Sequence, residues 1–173
     1  MRREWNLEDL IESWSLTDED RKLVGNKYGF TRLGFALTLK FFEIAARFPE
    51  RHYEFPAAVV EFVAKQVRVP GPELRRYQFT GRTFENHVAQ IRTRFGFREA
   101  TRADEDGLTA WLAAEVCPSE LIESRQKEAL LARCRAERVE PPAGSTGSST
   151  RRTRPPTRGS SRPLRNGCAA SRG

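Results

Sequence analysis

Five polar side chains recur on one side of a helical repeat that begins at position 82. Arg82, Asn86, Gln90 and Thr93, with Thr83 beside them, lie opposite an apolar stripe of Phe84, Val88, Ile91 and Phe95. Arginine, asparagine and glutamine are the side chains that pair in bidentate fashion with the major-groove edges of guanine and adenine. The chemistry this spacing points to is recognition of base edges. Basic residues suited to phosphate flank it: Lys65, Arg68, Arg75, Arg76, Arg92, Arg94 and Arg98, with Arg32 and Lys40 on a neighbouring helix. His87 falls at the edge of the apolar stripe and reads as a boundary residue.

Bond-making chemistry finds less support. Carboxylates gather at Asp18-Glu-Asp20 and at Asp104-Glu-Asp106, where the positive end of a helix dipole accounts for them. Adjacent side chains on a helix do not converge on one ion, so the second run is a poor metal site. Cys117 precedes a proline at an apolar helix end and reads as a covered thiol. No glycine-rich loop is followed by Lys-Ser or Lys-Thr. The expectation is a protein without catalytic residues, cofactor or metal.

The element that must position the reading helix is the run from Gly29 to Pro49. It predicts a helix over 32–48, stopped by Pro49. Leu33, Leu37, Phe41, Ile44 and Phe48 share one face, and Phe35, Leu39, Phe42 and Ala46 share the opposite one. A helix apolar on two sides is covered on two sides. Of its edges, one carries Lys40, Glu43 and Arg47, the last two at pairing distance. The other carries Gly34, Thr38 and Ala45, small enough for another helix to come close.

Around this centre the pattern predicts helices over 7–14 (Leu7, Leu10, Ile11 and Trp14 inward), from Thr17 to Gly25, over 57–67, over 73–77 and over 82–95. Two more follow: one from Asp104 to Cys117, and one from a Ser119 cap to about Val139 with Leu121, Ile122, Ala129, Leu130 and Cys134 as its apolar positions. No stretch alternates with period two, so the class is all-α: a multi-helix bundle around the 32–48 helix. Within it, 56–95 has the layout of a tri-helical helix-turn-helix unit. Residues 1–140 form the helical body, open to division into units of 1–55 and 56–140. Residues 141–173 turn to Gly, Ser, Thr, Pro and Arg and predict a disordered tail.

Charge is unevenly placed. The whole chain carries +7, yet all 23 acidic residues precede Pro142 and seven arginines without an acid follow it. The body is therefore neutral, and only local clustering bears on nucleic acid. From Lys65 to Arg98 eight basic residues face only Glu73 and Glu85; from Glu99 to Ser124 seven acids face only Arg102. Two solvated faces of opposite sign are the plain alternative to a binding surface. Three cysteines and two histidines lack disulfide or zinc spacing. Neither a signal sequence nor a membrane-length apolar run is present, so the location expected is the cytoplasm, at the bacterial nucleoid.

Several segments also resemble the N-terminal domain of replicative transposases of the Tn-three type. They are Trp14-Ser-Leu-Thr-Asp-Glu-Asp20, Asn26-Lys-Tyr-Gly-Phe-Thr-Arg-Leu-Gly-Phe-Ala-Leu-Thr-Leu-Lys-Phe-Phe42, Arg47-Phe-Pro49, Ala58-Val-Val-Glu-Phe-Val-Ala-Lys-Gln66, Tyr77 to Arg92 with Gly81-Arg-Thr83, and Gly96-Phe-Arg98. The match is collinear over roughly Trp14 to Pro142. The resemblance implies a helical region that binds the terminal inverted repeats of a transposon, ahead of a catalytic remainder whose metal-binding acids are missing here. Strand transfer is therefore not carried over. After Glu140-Pro-Pro142 the chain departs from the family; a frameshifted or truncated gene with a non-native tail, or a selected basic tail, would explain it. The leading expectation is sequence-specific binding of double-stranded DNA, with other transposase subunits as further partners and neither membrane nor small-molecule substrate. The alternatives are a protein-interaction module for transposase assembly and a free-standing helix-turn-helix regulator.

Overall fold

The computed structural model describes residues 5–142. In chain order these form α1 (Leu7–Trp14), α2 (Asp18–Gly25), α3 (Gly29–Ala45), a 3-10 turn (His52–Glu54), α4 (Ala57–Val67), a second 3-10 segment (Gly71–Arg76) and α5 (Gly81–Phe95). Then come α6 (Arg102–Trp111), which continues as a π-helical turn (Leu112–Val116), and α7 (Glu123–Glu137). The fold is all-α, and among the described residues the one β-type pairing is an isolated parallel bridge between Arg98 and Val139. No helix among the described residues is long and apolar enough to cross a membrane. Apart from Pro141 and Pro142, the expected tail lies outside the described residues.

α3 occupies the centre because its sequence leaves it no other place. Every residue from Leu33 to Phe42 is buried, Thr38 and Lys40 included. α1, α2, α4, the second 3-10 segment and α5 all pack on it. The small-residue edge is occupied, but by an aromatic ring. An added Cβ at Gly34 would stand 2.2 Å from the Tyr77 ring, and Thr38 turns its hydroxyl back to the Gly34 carbonyl at 2.7 Å. Only glycine lets the 3-10 segment approach this closely.

α3 ends earlier than Pro49 would dictate. Ala46 takes a left-handed conformation (φ 51°) and donates to the Phe42 carbonyl, closing the helix there. Freed from the helix, Phe48 folds back to stack on Phe42 at 4.5 Å. Arg47 pairs with Glu54 at 2.6 Å rather than with Glu43.

Side-chain caps set the starts of α1, α2 and α6. Asn6 accepts from Asp9 N at 2.7 Å, and Thr17 and Asp20 form a capping box. α6 begins two residues before Asp104 because Thr101 and Asp104 form another. The α7 start differs from expectation. Ser119 bonds backward to the Glu115 and Val116 carbonyls, the helix starts only at Glu123, and Leu121 and Ile122 stand exposed. Leu7 and Ile11 are exposed too, because α1 is covered on one side only and Leu10 and Trp14 take that side.

One apolar core runs from Leu10 to Ile91 and includes Trp14, Phe35, Phe41, Phe55, Val59, Val63 and Phe79. Residues on both sides of position 55 share it. The three segments expected of a helix-turn-helix are present in order, with the middle one a 3-10 segment starting at Gly71. They close around α3 rather than on a core of their own. The C-terminal part is fastened to this body by the Arg98–Val139 bridge: Arg98 N donates to Arg138 O (3.0 Å) and Glu140 N to Arg98 O (2.9 Å). Arg135 adds a bond to the Ile44 carbonyl at 3.0 Å.

Candidate nucleic-acid interface

α5 is built to show one face. Its stripe of Phe84, His87, Val88, Ile91 and Phe95 turns inward, and Gly96 (φ 67°) ends it with Phe97 N donating to Arg92 O at 2.9 Å. At the other end Thr80 is extended and makes no side-chain cap, so the first turn opens to solvent. Arg82, Thr83, Asn86, Ala89, Gln90 and Thr93 are all exposed. The five sequence-predicted base readers therefore share one accessible helix face.

They are not equally free. Arg82 and Asn86 have no partner among the described residues. Thr93 donates its hydroxyl to the Ala89 carbonyl at 3.0 Å. Gln90 accepts from Lys27 Nζ at 3.0 Å. Between α5 and the α2–α3 turn an open cleft of about 230 Å³ is lined by Asn26, Lys27, Thr83, Asn86, His87 and Gln90.

Lys27 and Asn26 are the site residues that sequence reasoning missed. Lys27 lies in the segment that carries the family resemblance, but no periodicity marks it. It is 7% exposed, and burial draws its pKa below the usual lysine value. His87 is a core residue rather than a boundary one. Its Nδ1 meets the Tyr77 hydroxyl at 2.7 Å, its ring stacks on Tyr77, and Phe35 meets it edge-on at 4.9 Å. Burial, then the Lys27 charge, lowers its pKa to about 4. Burial pushes the Tyr77 hydroxyl well above its ordinary range.

The basic residues divide into two groups. Lys65, Arg68 and Arg75 are exposed, and like Arg82 they make no ion pair among the described residues. Arg76 pairs with Glu73 at 3.0 Å and lies over Phe30. Arg92, only 23% exposed, reaches Glu140 (Nε at 2.7 Å) and Glu99. Arg94 pairs with Glu19 at 2.5 Å. Arg98 grips Asp104 with both nitrogens at 2.5 and 2.7 Å, and that contact with the Thr101 bonds holds the Asp104 carboxyl far below the usual carboxylate range. Arg32 donates to the Lys27 and Gly25 carbonyls. Lys40 is not a surface residue. Its side chain is 4% exposed and pairs with Glu43, because α3 is covered on this edge as well.

A second cleft of about 190 Å³ lies between α6 and α7, beside Asp104, Gly107, Trp111, Arg133 and Glu137. Its charges are spent on one another: Arg98 with Asp104, and Arg133 with Glu137 and across Trp111. Among the described residues no group of three or more His, Cys, Asp or Glu could hold a metal ion. Cys134 is buried and Cys117 half-buried.

The site is thus one polar, arginine-flanked helix face on an all-α bundle. Residues 1–146 match the family model described as a domain of unknown function (DUF4158). The chain belongs to that family, which is a Tn-three-like, transposase-associated one.

Proposed function

We propose that this chain binds double-stranded DNA, sequence-specifically, at the terminal inverted repeats of a transposable element. In this reading it supplies the DNA-recognition region of a transposase. The observation that carries the proposal is the α5 face. Arg82 and Asn86 stand there exposed and, among the described residues, unpaired, at helical spacing from Gln90 and above a first turn open to solvent. A rigid helix backed by a core can enter the major groove with its polar face forward. Lys65, Arg68 and Arg75 are free to reach phosphates, which position a protein without reading sequence.

Exposed Leu121 (89%) and Ile122 (51%) favour a second reading, in which the domain contacts other transposase subunits. A titration of labelled duplexes separates the two. The full chain should bind a duplex of the element's terminal repeat more tightly than a scrambled duplex. Arg82→Ala and Asn86→Ala should each cut that preference on the order of 10- to 100-fold, with scrambled-DNA binding nearly unchanged for Asn86→Ala and weakened for Arg82→Ala by the loss of one positive charge. Equal, weak binding to both duplexes would sink sequence-specific recognition and leave the assembly reading.

A further inference from the structure

We propose that Lys27 fixes the Gln90 carboxamide so that it presents donors to DNA, which makes Gln90 a reader of guanine and Lys27 a positioning residue for specificity. This rests on α5 being the base-reading helix. An ammonium group has three protons to give and no lone pair. Those of Lys27 are all placed: on the Leu23 carbonyl at 2.8 Å, Asn26 Oδ1 at 2.9 Å and Gln90 Oε1 at 3.0 Å. The Phe35 ring covers Nζ from 3.7 Å. Lys27 therefore has nothing left for a phosphate.

The consequence falls on the two amides. A lysine can only donate, so the oxygen of each carboxamide must be the atom that faces it. The atom of the Gln90 amide that faces Lys27 is its acceptor, which leaves the NH2 of this exposed side chain as the atom turned away from the ammonium, in a cleft that Asn86 and Thr83 also line. Adenine is read by one amide that offers a donor to N7 and an acceptor to N6 side by side. Guanine shows two acceptors, N7 and O6. An amide whose oxygen is held inward matches guanine. To read adenine, Gln90 would have to offer N6 the second lone pair of an oxygen already turned to Lys27, or swing that oxygen outward and leave a buried ammonium proton without a partner, which is costly.

The test is a selection from a pool of randomised duplexes with the full chain, followed by sequencing. Gln90→Ala identifies the base position that Gln90 reads, as the one whose preference is erased. At that position the wild type should prefer guanine. Gln90→Glu keeps an oxygen on Lys27 and replaces the outward NH2 with an acceptor, so the preference should move to cytosine, whose edge offers the N4 amine. Lys27→Met frees the amide, and adenine should be accepted there. Each switch should amount to roughly 10- to 100-fold in relative enrichment, the range of one bidentate contact. Melting curves report whether Lys27→Met folds; if it does not, the base that the wild type prefers at the Gln90 position decides, guanine supporting the assignment and adenine overturning it. A wild-type motif that neither Gln90→Glu nor Lys27→Met alters would overturn the Lys27–Gln90 assignment while leaving DNA recognition standing. A switch with Gln90→Glu and none with folded Lys27→Met would remove Lys27 from specificity. No enriched motif in the wild type would defeat both this assignment and the DNA reading on which it rests.

Discussion

His87 shows what burial does to a single titratable ring. It is 5% exposed, wedged between Tyr77 and Phe35, with the Lys27 ammonium near enough to oppose a second positive charge. Its pKa of about 4 in the folded chain lies below the ordinary 6.5. As pH falls, the unfolded chain takes up this proton first. The stabilising contribution is therefore complete above pH 6.5 and is lost progressively down to about pH 4, where it levels off. The loss amounts to roughly 2–3 kcal/mol. Glu140 acts in the opposite sense, since burial raises its pKa against the pull of Arg92. A comparison of wild type with His87→Gln isolates the histidine, because both chains keep Glu140. Denaturant unfolding at pH 7, 5.5 and 4 should show the wild type weakening more steeply than the variant. Parallel curves would mean that His87 titrates in the folded protein as it does in the unfolded chain.

At the scale of elements, the decisive contact is the one between α3 and the second 3-10 segment. Gly34 lets the Tyr77 ring lie against the helix backbone, and Tyr77 in turn reaches His87 on α5. Gly34→Ala places a methyl where the ring sits, so α3 and the segment must move apart. A loss of about 2–3 kcal/mol is expected, read as a lowered melting temperature by circular dichroism. Gly107→Ala is the control. It sits inside α6 with open space around its would-be Cβ, so alanine there should be neutral or stabilise by up to about 1 kcal/mol. Equal effects at the two sites would show that helix propensity alone governs both.

The same elements show what was legible in the sequence. The central role of α3 could be read from its two apolar sides, and the α5 face from its period. The α3 terminus could not, because it depends on a left-handed Ala46 that no residue type announces. Leu7, Ile11, Leu121 and Ile122 follow helical patterns, yet nothing in the described structure covers them. Lys27 was invisible as a site residue because Gln90, which gives it meaning, lies 63 residues away.

For the molecule as a whole, the question is how much positive charge is available to DNA. The sequence offers a basic block from Lys65 to Arg98, but the fold brings distant acids to it: Glu19 to Arg94, Glu99 and Glu140 to Arg92, Asp104 to Arg98. With Arg76 held by Glu73, four of the eight basic residues in the block are engaged among the described residues, and Lys65, Arg68, Arg75 and Arg82 remain. Each phosphate neutralised on duplex DNA contributes about 0.9 to the slope of log affinity against log salt concentration. A chain ending at Pro142 should therefore show a slope of no more than about −4 on a repeat-sequence duplex. The full chain, with seven further arginines beyond Pro142, should show a steeper slope and the same fold gain on scrambled as on repeat DNA, because added phosphate contacts carry no sequence information. A slope near −7 for the shortened chain would show that the four ion pairs open when DNA binds. In that event Arg76, Arg92, Arg94 and Arg98 would belong to the interface, and the acids that now hold them would be competitors for the phosphates. Equal slopes with and without residues 143–173 would instead leave the arginines after Pro142 without a part in binding.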